Sequence, residues 1–268
     1  MRLIVLAAGR GTRLGNTHDG PKALVSLGGR PLLDWTLDAA RATGLRLPDD
    51  VVVITGHAAD QLTDVPATRL HNPDFATTNM VQTLALADGL FGDGFVVSYG
   101  DIAYRPSVLA AVLASDGPVS VAVDLDWRPY WEARFDDPLA DAETLRLASD
   151  DTILEIGRRP GSLDEIEGQY LGLVAFRGAG VDAFRAVWAR ALADDAAGRA
   201  IMGRRPELRR LYLTDVLDEL AGEGIVRAVP IRGGWVEIDT PRDRVVAEAR
   251  WSETAGAGAA ARRAYEAA

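Results

Sequence analysis

At 268 residues, with 48% apolar and 25% charged side chains, the chain has the makeup of an ordinary soluble protein large enough to bury a sizeable core. Its 29 basic residues against 39 acidic ones leave a formal charge of −10, which argues against nucleic acid as a partner, since non-specific affinity for nucleic acid comes from basic surface. There is no cysteine, so disulfides and thiolate metal sites are excluded.

The first segment, RLIVLAA at 2–8, is a short continuous apolar run ending at a glycine and reads as a buried strand. Its apolar core of about six residues falls short of the roughly 7–15 of a signal peptide. No later run approaches the roughly 18 apolar residues that span a bilayer, so the expectation is no membrane and a cytoplasmic location. PLLDWTLDAARATG at 31–44 has helical spacing at Leu32, Leu33, Trp35, Leu37 and Ala40, with Pro31 to start it and Gly44 to end it. VVVIT at 51–55 is a second buried strand, 79–90 a helix after the turn-prone HNPDFATT, and FVVSYGD at 95–101 a third strand ending in a carboxylate. A helix at about 105–114 and a strand at 119–123 come next. This alternation predicts a mostly parallel sheet covered on both faces, whose ligands sit beyond the carboxyl ends of the strands. Gly9 and Asp101 both lie at such ends.

The second half is less regular. It reads as a hairpin at 144–147 and 152–156, a strand at 169–176, helices at 180–193 and 213–221, and two strands in GIVRAVPI and GWVEID. No internal repeat and no linker is visible. The expected organisation is one domain over 1–252, in two parts that meet at about residues 123–124. The alanine-rich 253–268 is expected to be a helix or tail, with homo-oligomerisation possible through it.

The stretch LAAGRGTRLG, followed by PKAL, distinguishes among three kinds of glycine loop. A dinucleotide fingerprint needs G-x-G-x-x-G and an acid ending the second strand, whereas here Gly9, Gly11 and Gly15 are spaced G-x-G-x-x-x-G and the second strand ends in Thr55 and Gly56. A Walker A loop needs G-K-[ST], but Pro21 intervenes before Lys22 and Ala23 replaces the hydroxyl. The remaining reading is physical. Ala7 and Ala8 leave room for a nucleoside, Gly9 and Gly11 allow close approach of backbone N–H groups to phosphate, and Arg13, Lys22 and Arg10 bring positive charge.

The loop with its P-K-x-L resembles the signature of the nucleotidyltransferases that make sugar nucleotides and CDP-alcohols, and the resemblance covers most of the chain. It implies an α/β, Rossmann-like three-layer α/β/α fold with a mixed, mostly parallel sheet and a small β-rich substrate lobe. It also implies nucleotide contacts at Leu6, Ala7, Ala8, Gly9, Arg10, Gly11, Thr12, Arg13 and Lys22, with Tyr99 and Gly100 beside them, and catalytic roles for Arg13, Lys22 and Asp101. Asp101 matches the family's magnesium-binding aspartate, and WVEIDTPRD its second acidic element through Glu237 and Asp239. Residues two apart on a strand share a face, so both carboxylates are expected to reach one Mg²⁺.

HNPDFATTNMVQTLALA, DLDWRPYWEARFDDPLADAETL and EIGRRPGSLDEIEGQYLGLVAF are similar to the cytidylyltransferase branch that accepts phosphocholine or phosphonates. The branch implies CTP, with Asn79 and Thr83 as base or ribose contacts unless they are a helix cap and a core hydroxyl. Arg128 and Arg134 are expected to grip the acceptor's phosphonate or phosphate. Trp131 or Tyr170 would face an ammonium tail, which Asp141 and Glu143 would pair with; the alternative is that the tryptophans simply pack. Phosphocholine, 2-aminoethylphosphonate, a hydroxyalkylphosphonate and a phosphorylated amino-acid amide stay open as acceptors. The rivals are a sugar-1-phosphate nucleotidyltransferase using UTP, dTTP or GTP, a glycosyltransferase using DLD at 124–126, and a nucleotide sensor.

Overall fold

The apolar runs become the strands of one sheet, as the computed structural model shows for residues 1–252; the alanine-rich 253–268 lies outside the described residues. The first half runs β1 (Arg2–Ala7), the small β2 (Ser26–Leu27) and β3 (Arg30–Pro31), α1 (Leu32–Ala42), β4 (Val51–Thr55), β5 (Thr68–His71), α2 (Met80–Ala85), β6 (Gly94–Tyr99), β7 (Ile102–Tyr104), α3 (Pro106–Ala114) and β8 (Val119–Asp124). The second half adds α4 (Trp127–Arg134), β9 (Leu145–Leu147), β10 (Ile153–Ile156), β11 (Gln169–Arg177), α5 (Ala179–Ala196), α6 (Leu213–Gly222), β12 (Val226–Ile231), β13 (Trp235–Glu237) and a helix α7 over 241–252.

Seven strands form the central sheet in the order β12-β8-β11-β6-β1-β4-β5, and β11 alone runs against the rest. Alternation along β1 sends Leu3 and Val5 to one face and Ile4 to the other, so the sheet carries a core on each side. On the first face these residues meet α1 and α3 through Leu33, Leu37, Leu109 and Val112. On the second, Phe91 stacks on Phe95 at 4.0 Å, Phe95 on Phe176 at 4.9 Å, and Phe184 of α5 closes edge-on at 5.4 Å from Phe176. Each such buried ring contributes roughly 1.5–3 kcal/mol. Helices thus cover both faces of a mixed, mostly parallel sheet in a three-layer α/β/α arrangement.

Several elements depart from the sequence reading, among them the short β2, β3 and β7 and the helix α4, which it did not foresee. β5 is an edge strand whose four residues are exposed or half-buried, so it carries no apolar run to announce it. The helix expected over 79–90 breaks after Ala85 and resumes as a 3₁₀ turn at Asp88–Leu90 around Gly89. Helix α7 was hidden behind the acidic motif that precedes it. Beside the sheet, the expected β9–β10 hairpin forms and packs on α6, where Ile156 N–H donates to Asp218 at 3.2 Å. Among the described residues no helix is long and apolar enough to cross a membrane.

Candidate active site

The glycine turn leaves β1 at the carboxyl edge of the sheet. Gly100 closes the neighbouring strand end: its N–H donates to Leu6 O at 3.1 Å, and a Cβ there would lie 2.7 Å from that oxygen. Gly11 sits at φ 64°, ψ 36°, left-handed backbone that favours glycine, and a Cβ would come within 2.7 Å of Lys22 Cγ. The next element is only a short 3₁₀ turn, Thr12–Thr17, kinked at Gly15. The turn leads into no long helix, so positive charge beside it comes from side chains rather than from a helix dipole.

Antiparallel pairing of β13 with β7 assembles the acids. The register sets Glu237 opposite Ile102, and Ile238 N–H donates to Asp101 O at 3.0 Å, so residues from distant parts of the chain become neighbours. The strand ends at Glu237, so Asp239 is not on it as expected; it lies on the bend after it. A capping box holds that bend: Thr240 Oγ1 accepts from Asp243 N at 3.1 Å while Asp243 accepts from the N–H groups of Thr240 and Asp239 at 2.9 and 3.1 Å. The outcome is that one carboxylate oxygen from each of Asp101, Glu237 and Asp239 lies within 4.8 Å of the others.

Cations interleave with these acids. Lys22 Nζ bonds Asp101 at 2.9 Å and also Asp239. Arg13 pairs with Asp239 and stands 3.7 Å from Asp141. Glu237, whose carboxyl is pushed upward chiefly by burial, is answered by Arg134 at 2.7 Å. Asp101 Oδ1 is buried and accepts no hydrogen bond among the described residues. An all-oxygen donor set with an unfilled lone pair has the chemistry of a hard divalent cation site.

Two adjoining cavities flank this centre and share Met80 and Tyr99. The first, about 200 Å³, is lined by Leu6, Ala8, Gly9, Asn79, Thr83, Tyr99, Gly100 and Asp101. Ala7 is buried behind it, Thr12 is exposed, and Arg10 lies 5.3 Å over the ring of Phe75, a lining residue that sequence reasoning passed over inside HNPDFATT. The two α2 candidates separate. Thr83 is satisfied internally, accepting from Asn72 at 2.9 Å and donating to Asn79 O at 3.2 Å, while Asn79 makes no side-chain cap. The second cavity, about 160 Å³, is lined by Arg13, Trp131, Asp141, Glu143, Tyr170, Glu237 and Asp239. Tyr170 meets Tyr99 edge-on at 5.7 Å, and the buried Trp131 Nε1 has no hydrogen-bond partner among the described residues. Burial, with Asp141 and Asp215 adding repulsion against the help of Arg205, raises Glu143 to about 7.

The expected arginine clamp does not form. Six residues of helix set Arg128 and Arg134 about 120° apart around the axis of α4. Arg128 faces outward, bonded to Glu132 at 2.9 Å, and lines neither cavity. Arg134 is fully buried, held by Asp243 at 2.8 Å and Glu237 at 2.7 Å, so it positions the acids rather than facing an acceptor. Burial alone would lower its pKa, but Glu237, Tyr130 and Asp243 raise it. Asp243 was passed over, although its signal, Thr-Pro-x-Asp before a helix, stands in the sequence. DLD is structural too: buried Asp124 accepts from Trp235 Nε1 at 2.8 Å and Arg250 at 3.2 Å, and Asp126 pairs with Arg232.

Fold and site together define a nucleotidyltransferase. The chain belongs to the MobA-like NTP transferase domain family, which matches residues 3–208. It is similar to CTP:phosphoglutamine cytidylyltransferase of Campylobacter jejuni, 29% identical over 257 residues that cover 91% of this chain and 97% of that protein. It is also 31% identical over 138 residues to CMP-5'-(3-aminopropyl)phosphonate synthase of Streptomyces rubellomurinus, a match covering 48% of this chain and 22% of that longer protein. Among solved structures, CTP:phosphocholine cytidylyltransferase from Streptococcus pneumoniae shares the fold, with a TM-score of 0.66 at 19% identity over 92% of this chain and 97% of that one.

Proposed function

We propose that the protein is a Mg²⁺-dependent cytidylyltransferase that moves CMP from CTP to a small phosphonate or phosphomonoester and releases pyrophosphate. The observation that carries this is the convergence of Asp101, Glu237 and Asp239 with Lys22 and Arg13 between two cavities, one at the glycine turn and one walled by Trp131, Tyr170 and Asp141. The cytidylyltransferase relatives support CTP and a phosphorus-bearing acceptor.

In the reaction an acceptor oxygen forms a bond to the α-phosphorus of CTP as the bond to pyrophosphate breaks. Such an oxygen is already ionised near neutral pH, so no side chain has to remove a proton. The barrier is the approach of two anions, which positioning and charge neutralisation lower. Residues 1–123 supply the nucleoside cavity and the phosphate-facing Lys22 and Arg13, with Asn79, whose side chain makes no helix cap, offered to the base. Residues 124–252 supply the acceptor walls and complete the acid cluster. The three carboxylates would hold a divalent ion, which neutralises charge on the phosphates when bound.

Pyrophosphate release measured with all four NTPs, Mg²⁺, and 2-aminoethylphosphonate, phosphocholine or sugar 1-phosphates tests the reading. CTP with a phosphonate or phosphocholine-like acceptor is the expected pair. Turnover confined to UTP, dTTP or GTP with a sugar 1-phosphate would overturn it.

A further inference from the structure

Beyond the acceptor side, a larger cavity of about 720 Å³ opens and shares Asp141 and Glu143 with the smaller one. Its wall carries Arg158, Arg159, Arg204 and Arg205, and their commitments differ. Arg205 is committed to Asp215, a forked pair of two 2.8 Å bonds. Arg158 is paired with both Glu155 and the buried carboxylate of Asp218, each at 3.1 Å, while Arg204 has only its share of Asp218 among the described residues, so donors remain on Arg204. Arg159 is exposed and has no ion pair or hydrogen bond among the described residues.

The cavity is therefore dipolar along its length. Asp141 and Glu143 make the end beside the transfer centre acidic, while surplus guanidinium donors gather at the wall. A ligand that enters from the acid cluster with a phosphorus oxyanion next passes two carboxylates, which favour an ammonium, and then guanidiniums, which favour a carboxylate in forked geometry. An acceptor that ends in a bare amine leaves Arg159 unanswered. One that carries only a second anion must pass Asp141 and Glu143 uncompensated. An α-amino-acid end meets both conditions.

We propose that this arginine-walled annex is a carboxylate subsite for the acceptor, which takes the distal α-amino-acid end with its ammonium toward Asp141 and Glu143 and its carboxylate toward Arg159 and Arg204. The proposal rests on the transferase reading above and names the acceptor class for it.

The test uses L-2-amino-4-phosphonobutanoate and 3-aminopropylphosphonate, which share phosphonate, amine and spacing and differ by one carboxylate. Each is titrated calorimetrically into the full chain with Mg²⁺ and an unreactive α,β-methylene analogue of CTP. The carboxylate-bearing probe is expected to bind about tenfold or more tightly, the ordinary gain of a charge-assisted hydrogen bond, and Arg159→Gln should bring the two affinities together. Arg159→Lys, which keeps the charge without the fork, should recover part of the preference. Equal affinities in the unaltered protein, no binding of either probe, or a preference that Arg159→Gln leaves intact would overturn the subsite. The titration needs no turnover, so an absence of pyrophosphate release with every nucleotide would instead overturn the transferase reading.

Discussion

Arg128 and Arg134 sit on one helix, and their environments predict opposite responses to replacement. Arg134→Met leaves Asp243 buried without its cation and is expected to cost about 3–5 kcal/mol in urea denaturation. Arg128→Ala removes an exposed pair with Glu132 and should stay within about 0.5 kcal/mol. Glu143 carries a pH signature at the same scale. It faces Asp141, Asp215, Arg205 and Glu237, and its folded value of about 7 stands above the ordinary 4.5. The folded protein thus holds this proton more tightly than the unfolded chain, so the associated stability is full below about pH 4.5 and is lost as pH rises through 7. Melting temperatures of Glu143→Gln should fall less across that window than those of the unaltered protein. Parallel curves would contradict the assignment.

At the scale of elements, two short devices place the chemistry: the three-residue β7–β13 ladder and the capping box that opens α7. Thr240→Ala removes a cap and should cost about 1 kcal/mol, while loosening the bend that aims Asp239. Gly11→Ala forces a side chain into left-handed backbone and against Lys22, so pyrophosphate release should fall by a larger factor than stability alone explains. Burial decides which elements the sequence disclosed. β1, β4, β6 and β8 are covered on both faces and read as unbroken apolar runs, whereas exposed β5 and the half-polar α4 and α7 gave no such signal. The acids Asp101, Glu237 and Asp239 were marked by the resemblance of VVSYGD and WVEIDTPRD to a known family, and the structure brings their carboxylates within 4.8 Å of one another. The fate of Arg134 was not legible, because a run such as WRPYWEAR does not say which of its cations turns inward to meet Asp243, more than a hundred residues away.

At the scale of the whole molecule, a chain of formal charge −10 is read as a binder of polyphosphate, and the conflict is resolved locally. Lys22, Arg13 and Arg134 from three segments gather on acids from two distant stretches of the chain, at the carboxyl edge of a sheet that holds them in place. Losing one acid from that centre should cut pyrophosphate release on the order of 100-fold or more, since a bound cation supplies several kcal/mol of charge stabilisation. The gathering of a divalent ion by Asp101, Glu237 and Asp239 is the claim on which the account turns. Mn²⁺ titration followed by electron paramagnetic resonance, with the α,β-methylene analogue of CTP present, tests it without catalysis. One tight site should be found in the unaltered protein and be lost in both Asp101→Asn and Asp239→Asn; the same site, with the same affinity in either variant, would contradict it.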